Sequence, residues 1–170
     1  MGLLNAGREM RTIKNLLSGA ERESRRGGDD LPGAEHLLVA AVDLPDGTAA
    51  RALGRFGIDA DSLRAALEQV HADALAGAGV QAPGPVDAAA DVASLAPASG
   101  VFRSTPQAQQ VFRDAVALSK SSTPSRLLGA HVVAAVCALE HGTAARALSA
   151  LGLDRSDLRA AALDEADAAR

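Results

Sequence analysis

The sequence has no tryptophan and no tyrosine, and its only aromatic residues are Phe56, Phe102 and Phe112. Strands favour aromatic and β-branched side chains, whereas a chain built on alanine, leucine and arginine prefers helix, so the expected fold class is all-α. The net charge is −4, and no basic stripe interleaved with aromatics is present to neutralise phosphates and stack bases, which excludes a nucleic-acid surface. Lysine occurs only at Lys14 and Lys120, and Cys137 is the single cysteine. An internal disulfide is therefore impossible, and Cys137, inside the apolar run Val132–Leu139, reads as a small buried hydrophobe. No stretch approaches the roughly 20 apolar residues of a membrane span, and no apolar leader with a cleavage site opens the chain, so a cytoplasmic protein is expected.

Catalytic and cofactor signatures are missing as well. There is no G-x-x-x-x-G-K-[ST] phosphate loop, no HExxH and no GxSxG. The histidines, His36, His71, His131 and His141, do not fall at metal-ligand spacing with cysteines. The expectation is a protein without cofactor, metal or catalytic residues, and not an enzyme.

What is present is a duplication. Residues 47–67 read GTAARALGRFGIDADSLRAAL and residues 142–162 read GTAARALSALGLDRSDLRAAA, with thirteen of twenty-one positions identical at an offset of 95. The offset continues upstream, pairing His36 with His131 and Leu37–Val42 with Val132–Cys137. Solenoid repeats run about 20–50 residues, so a period this long indicates two copies of a small helical unit that face each other about a pseudo-two-fold axis.

Each copy carries the same punctuation. In the first, an amphipathic stretch from about Leu4 to Arg26 places Ile13, Leu16, Leu17 and Ala20 at helical spacing, and Gly27-Gly28 ends it. An almost wholly apolar helix over Ala34–Val42 must be central. Gly47-Thr48 opens a third helix closed at Gly57, and Asp59 or Asp61 caps a fourth through about Val70. In the second copy Thr105-Pro106 is an N-cap followed by proline at the first helical position. That helix carries Val111, Phe112, Ala115 and Leu118 on one face, and three more follow at the offset. About eight helices are expected, in repeat 1 (residues 1–71) and repeat 2 (105–170). Residues 72–104, rich in Ala, Gly and Pro, read as a flexible linker.

The run Gly33-Ala34-Glu35-His36-Leu37-Leu38, followed by GTAARAL and the Phe/Leu-Gly-hydrophobic-Asp turn, together with Thr105-Pro106 before Gln107–Lys120, resembles the Clp repeat. That repeat forms the N-terminal domain of bacterial Clp unfoldases. The resemblance spans both copies. It implies two four-helix repeats packed as one domain, acting as a receptor for adaptor proteins, marked substrates and cyclic-peptide antibiotics. No nucleotide-binding ring is expected alongside it.

The resemblance also implies candidate ligand-binding residues. In some relatives the glutamate of this motif and a threonine opening the repeat's first helix hold phosphoarginine. The carboxylate can pair with the guanidinium, while helix N-terminal amides and the hydroxyl take the phosphate. Here the first copy keeps Glu35 but has Met10 at the threonine position, with Thr12 close by. The second keeps Thr105 but has Ala130 at the glutamate position. Each copy thus holds half a site, and Glu35 is equally readable as a carboxylate at a helix start. A groove near Met10, Lys14, Thr105 and Gln109 corresponds to where similar domains accept cyclic peptides. Phe102 is either an apolar contact there or a lid on the core. His36 and His131 read as imidazoles bonded to backbone, and the acidic tail Asp154–Arg170 as a solvated helix end. Two functions stand. One is a binding protein that shares substrates, adaptors or peptide ligands with a Clp unfoldase and modulates or sequesters them. The other is a regulatory interaction module that has lost the ligand pocket.

Overall fold

A computed structural model describes residues 2–79, 102–121 and 125–169. Among the described residues eight helices follow one another: α1 (Gly2–Gly27), α2 (Ala34–Val42), α3 (Thr48–Gly54), α4 (Ala60–Gly77), α5 (Pro106–Lys120), α6 (Gly129–Val136), α7 (Thr143–Ala150) and α8 (Arg155–Ala168). There is no strand among the described residues. The all-α expectation and the order of elements in the two copies are what the structure shows.

Local chemistry accounts for the ends. The Asp59 carboxylate accepts the Ser62 N–H and caps α4, and Asp154 caps α8 by accepting from Ser156 and Asp157. Asp59 is thereby held below the usual carboxylate pKa, chiefly by the Ser62 bond. The Thr105 hydroxyl accepts from Ala108, with Pro106 at the first helical position of α5. After α3 and α7 the chain reverses through Gly57 (φ +73°) and Gly152 (φ +72°), a backbone region costly for any side chain. In both turns the next amide reaches back across the turn, Ile58 to Leu53 and Leu153 to Leu148. One expected boundary shifts: α4 does not stop near Val70 but runs to Gly77, so residues 72–77 are helix rather than linker. At the other end of that segment Ser104 is buried and Thr105 donates its N–H to the Pro32 carbonyl. Residues 80–101 lie outside the described residues.

α2 and α6 form the centre. All of α6 and every residue of α2 except Glu35 are buried. α1 packs on α2 and α5 on α6, while α3 lies against α8 of the other copy and α4 against α7. Exchanging the copies maps each of these pairings onto another, as a pseudo-two-fold requires. The helices cross closely because small residues meet. A Cβ on Gly129 would stand 2.7 Å from the Ala41 carbonyl oxygen and 3.0 Å from the Ala49 Cβ. The same crossing buries the first turn of α6, whose free amides need partners there. The first copy supplies them. Gly129 N–H points at the Asp46 carboxylate (3.2 Å), and Ala130 N–H donates to Thr48 Oγ1 (2.9 Å).

A second link joins α3 to α8. Glu165 accepts from Arg51 Nε (2.8 Å) and from Arg55 Nε and Nη2 (2.9 and 2.6 Å). These bonds, Arg51's first, hold Glu165 below the ordinary carboxylate pKa.

Two expectations follow. Gly129→Ala should lower stability by about 1–3 kcal/mol, the usual cost of overpacking, read from urea midpoints at constant slope. A depressed folded-state pKa means the Glu165 contribution is complete above the unfolded value near 4.5 and fades as pH falls through the folded one. Glu165→Gln should therefore lower stability at pH 7 and flatten its decline below about pH 5. An unaltered acid limb in the variant would show that the cluster contributes nothing.

Candidate functional site

The loop Gly28–Gly33 and the start of α2 hold two of the polar groups singled out in the sequence, Glu35 and His36. His36, third residue of α2, turns back so that Nδ1 accepts the Gly33 N–H at 2.8 Å. Its other face, Nε2, lies 3.3 Å from Asp29 Oδ2. An acceptor Nδ1 fixes the tautomer: the ring proton sits on Nε2 and points at Asp29. The second copy repeats the arrangement, with Leu128 N–H donating to His131 Nδ1 at 3.1 Å. Both histidines are thus helix caps bonded to backbone.

Asp29, Glu35 and His36 lie close enough for their ligand atoms to share a cation. The tautomer argues against that use. A metal on Nε2 would expel its proton and force one onto Nδ1, breaking the Gly33 bond. The second copy keeps the capping imidazole where the two carboxylate positions are Ala130 and Pro124, so the imidazole's role does not depend on the carboxylates.

Glu35 is a fifth exposed and curls over its own helix start, with Oε1 3.6 Å from His36 Nδ1. A Cβ on Gly33 would collide with this carboxylate at 2.3 Å, so the glycine makes the space in which it folds back. A carboxylate in the first turn is favoured there by the helix dipole. The Thr105 N–H to Pro32 O bond brings the opening of α5 onto the same loop. Glu35 of one copy and Thr105 of the other are therefore neighbours through Pro32-Gly33. Nothing in the spacing reveals this, because it depends on how the two copies are packed. Thr105 Oγ1 accepts from Ala108 and keeps its own proton for another acceptor. Gln109 is exposed and donates to the Ser104 carbonyl, and Gln107 donates to the His141 carbonyl.

The remaining candidates are placed differently. Met10 is 69 % exposed on α1, Lys14 is exposed beside it, and Thr12 and Phe102 are half-buried. α1 and α5 are each carried mainly by the central helix of their own copy. At Ala130 the α6 amides that an anion would need are already bonded to Asp46 and Thr48, so that copy has no open phosphate cradle. The roles of Asp46, Thr48 and Glu165 across the two copies are not evident from the sequence. The Asp46-x-Thr48 spacing is an Asx-turn signature, but its target lies 83 residues away.

Cys137 is no nucleophile: burial pushes its thiol up to about 12, against an ordinary 9.0, despite Arg155 and Arg159 nearby. In native protein it should resist a thiol reagent such as dithionitrobenzoate, and react at once in denaturant. Fast labelling of the folded state would contradict the burial.

The fold is that of a helical domain with a duplicated core. A family model, the Clp repeat N-terminal domain, matches residues 11–95, half of the chain. The chain belongs to the Clp repeat N-terminal domain family. Its structure is similar to that of the N-terminal domain of the caseinolytic protease associated chaperone ClpD from Arabidopsis thaliana. The TM-score is 0.58 at 21 % identity, covering 91 % of this chain and 93 % of that one. No curated protein matches the sequence. No described helix is long and apolar enough to cross a membrane.

Proposed function

We propose that this chain is a protein-interaction module of a Clp unfoldase system, in the cytoplasm. It docks substrates or adaptors at the corner where Glu35 meets the start of α5. What supports this is the Thr105 N–H to Pro32 O bond, which brings a hydroxyl-bearing residue onto the loop that leads into Glu35. A phosphoarginine side chain suits that pair, its guanidinium on Glu35 and its phosphate on the hydroxyl and the first amides of α2. The neighbouring Met10, Lys14 and Phe102 offer an alternative footing for a cyclic peptide. Modulation or sequestration of such ligands follows from binding without any catalytic group.

Titration with phosphoarginine and with a Clp-binding cyclic peptide, followed by amide shifts and heat, tests the reading. Saturable phosphoarginine binding should fall about 10- to 100-fold in Glu35→Ala, the value of a charge-assisted bond. It should fall similarly in Thr105→Asp, which keeps a good N-cap but repels the phosphate. Silence with both ligands would sink the receptor reading and leave a module that docks through its helical faces alone.

A further inference from the structure

The two copies treat one arginine in opposite ways. In the first, Arg64 of α4 is surrounded by carboxylates: Asp43 at 2.6 Å, Glu23 at 3.7 Å and Asp61 at 3.7 Å. Its counterpart at the offset of 95 is Arg159 of α8, and there the three carboxylate positions are Ala138, Leu118 and Ser156. Arg159 is exposed and makes no ion pair with any described residue.

The packing beside it differs in step. In the first copy Gly19 lets α1 settle onto α2, so closely that a Cβ on it would stand 2.9 Å from the Ala40 Cβ. The equivalent residue of α5 is Asp114, over Ala135. There the structure has an open pocket of about 340 Å³ with Ala134, Ala135 and Ala138 among its lining residues, Leu118 and Asp114 on the α5 side and Arg159 on the α8 side. That volume is at the small end for a ligand site and suits one or two side chains rather than a cofactor.

We propose that this pocket docks a short acidic segment of a partner protein. A Glu or Asp carboxylate takes the place beside Arg159 that Asp43 holds beside Arg64, and the aliphatic neighbours of that residue rest on the alanines. Asp114 makes the rim a plus–minus pair, so the segment that fits best carries a basic residue close to its acid. Arg159 is exposed in the free protein, and a segment seated on the alanines covers it, so the ion pair forms in partly desolvated surroundings where it is stronger than in open water. The site lies on α5, α6 and α8, apart from the Glu35 corner. It shares with the function proposed above only the premise that the ligand is a peptide.

The probe is acetyl-Ala-Glu-Ala-Lys-amide, with acetyl-Ala-Gln-Ala-Lys-amide, which lacks the carboxylate and keeps the lysine, as its control, titrated into labelled protein and followed by amide shifts. Shifts should saturate and centre on residues 114–121 and 134–138. Affinity should weaken about tenfold or more for the control peptide and in Arg159→Gln, and should fall with added salt. Ala138→Asp is the sharper variant: it places in the second copy the carboxylate that satisfies Arg64 in the first. It should leave the fold and melting temperature intact or improved while abolishing binding. Absence of saturation at millimolar peptide, equal binding of both peptides, or undiminished affinity in Arg159→Gln and Ala138→Asp would overturn the proposal. Phosphoarginine is titrated into the same samples. A response at Glu35 alongside silence at Arg159 would remove this pocket and keep the function proposed above, and the converse pattern would do the reverse.

Discussion

The molecule depends on burying the crossing of two short apolar helices whose polar ends cannot reach water. α2 and α6 meet at Gly129, where there is no room for a methyl group against the Ala41 carbonyl. Such an approach gains dispersion contacts along both helices, but it also removes the first turn of α6 from solvent. An unsatisfied amide there costs more than a typical hydrogen bond contributes. Asp46 and Thr48 offset that cost from the loop before α3 of the first copy, so one repeat completes the backbone bonding of the other. Neither copy can bury its central helix in this way alone. The outer helices are consequences: α1 and α5 cover the outer faces of the central pair, and α3, α4, α7 and α8 close its sides across the copies.

A duplicated core of this kind constrains the two copies unequally. Positions that face the axis hold the same type of residue in both, as with Leu53 and Leu148, Leu63 and Leu158, or the capping His36 and His131. Polar positions at the rim are free to be solved once rather than twice. The start of α6 is capped by Asp46 and Thr48, but at the offset the corresponding pair is His141 and Thr143, which make no such bond to the start of α2 among the described residues. Glu35 lies there instead. The Arg51–Arg55–Glu165 cluster likewise has no second version, since its counterparts are Arg146, Ala150 and Val70.

This inequality explains what the sequence could disclose. The helices, the cap at Thr105, the choice of Asp59 or Asp61 for α4 and the turns at Gly57 and Gly152 are written in residues within five positions of each other, so periodicity and capping chemistry find them. The central place of α2 and α6 follows from their lack of any polar face. The end of α4 was less legible. Alanine and glycine in 72–77 read as linker, yet alanine is the best helix former, and α4 simply continues once started. The candidate site was half legible. Glu35 and Thr105 are identifiable as residue types, but each was matched to a partner in its own copy, and only the packing of α5 against Pro32 brings the start of α5 onto the loop that leads into Glu35. Asp46 and Glu165 act over 83 and 114 residues, where no local pattern points.

The asymmetry also has an energetic logic. Arg64 is only about a fifth exposed, and a cation so covered must be paired. Arg159 is exposed, so water meets most of the demand that Asp43, Glu23 and Asp61 meet for Arg64, and losing those carboxylates costs the fold little. Gly19 and Asp114 reinforce the difference, one drawing its helix onto the centre and the other leaving a mouth above Ala135. The position least demanding for stability is thus the one left open to an outside carboxylate. In a domain made of two like halves, the docking pocket proposed beside Arg159 lies where the second half leaves unpaired what the first half pairs.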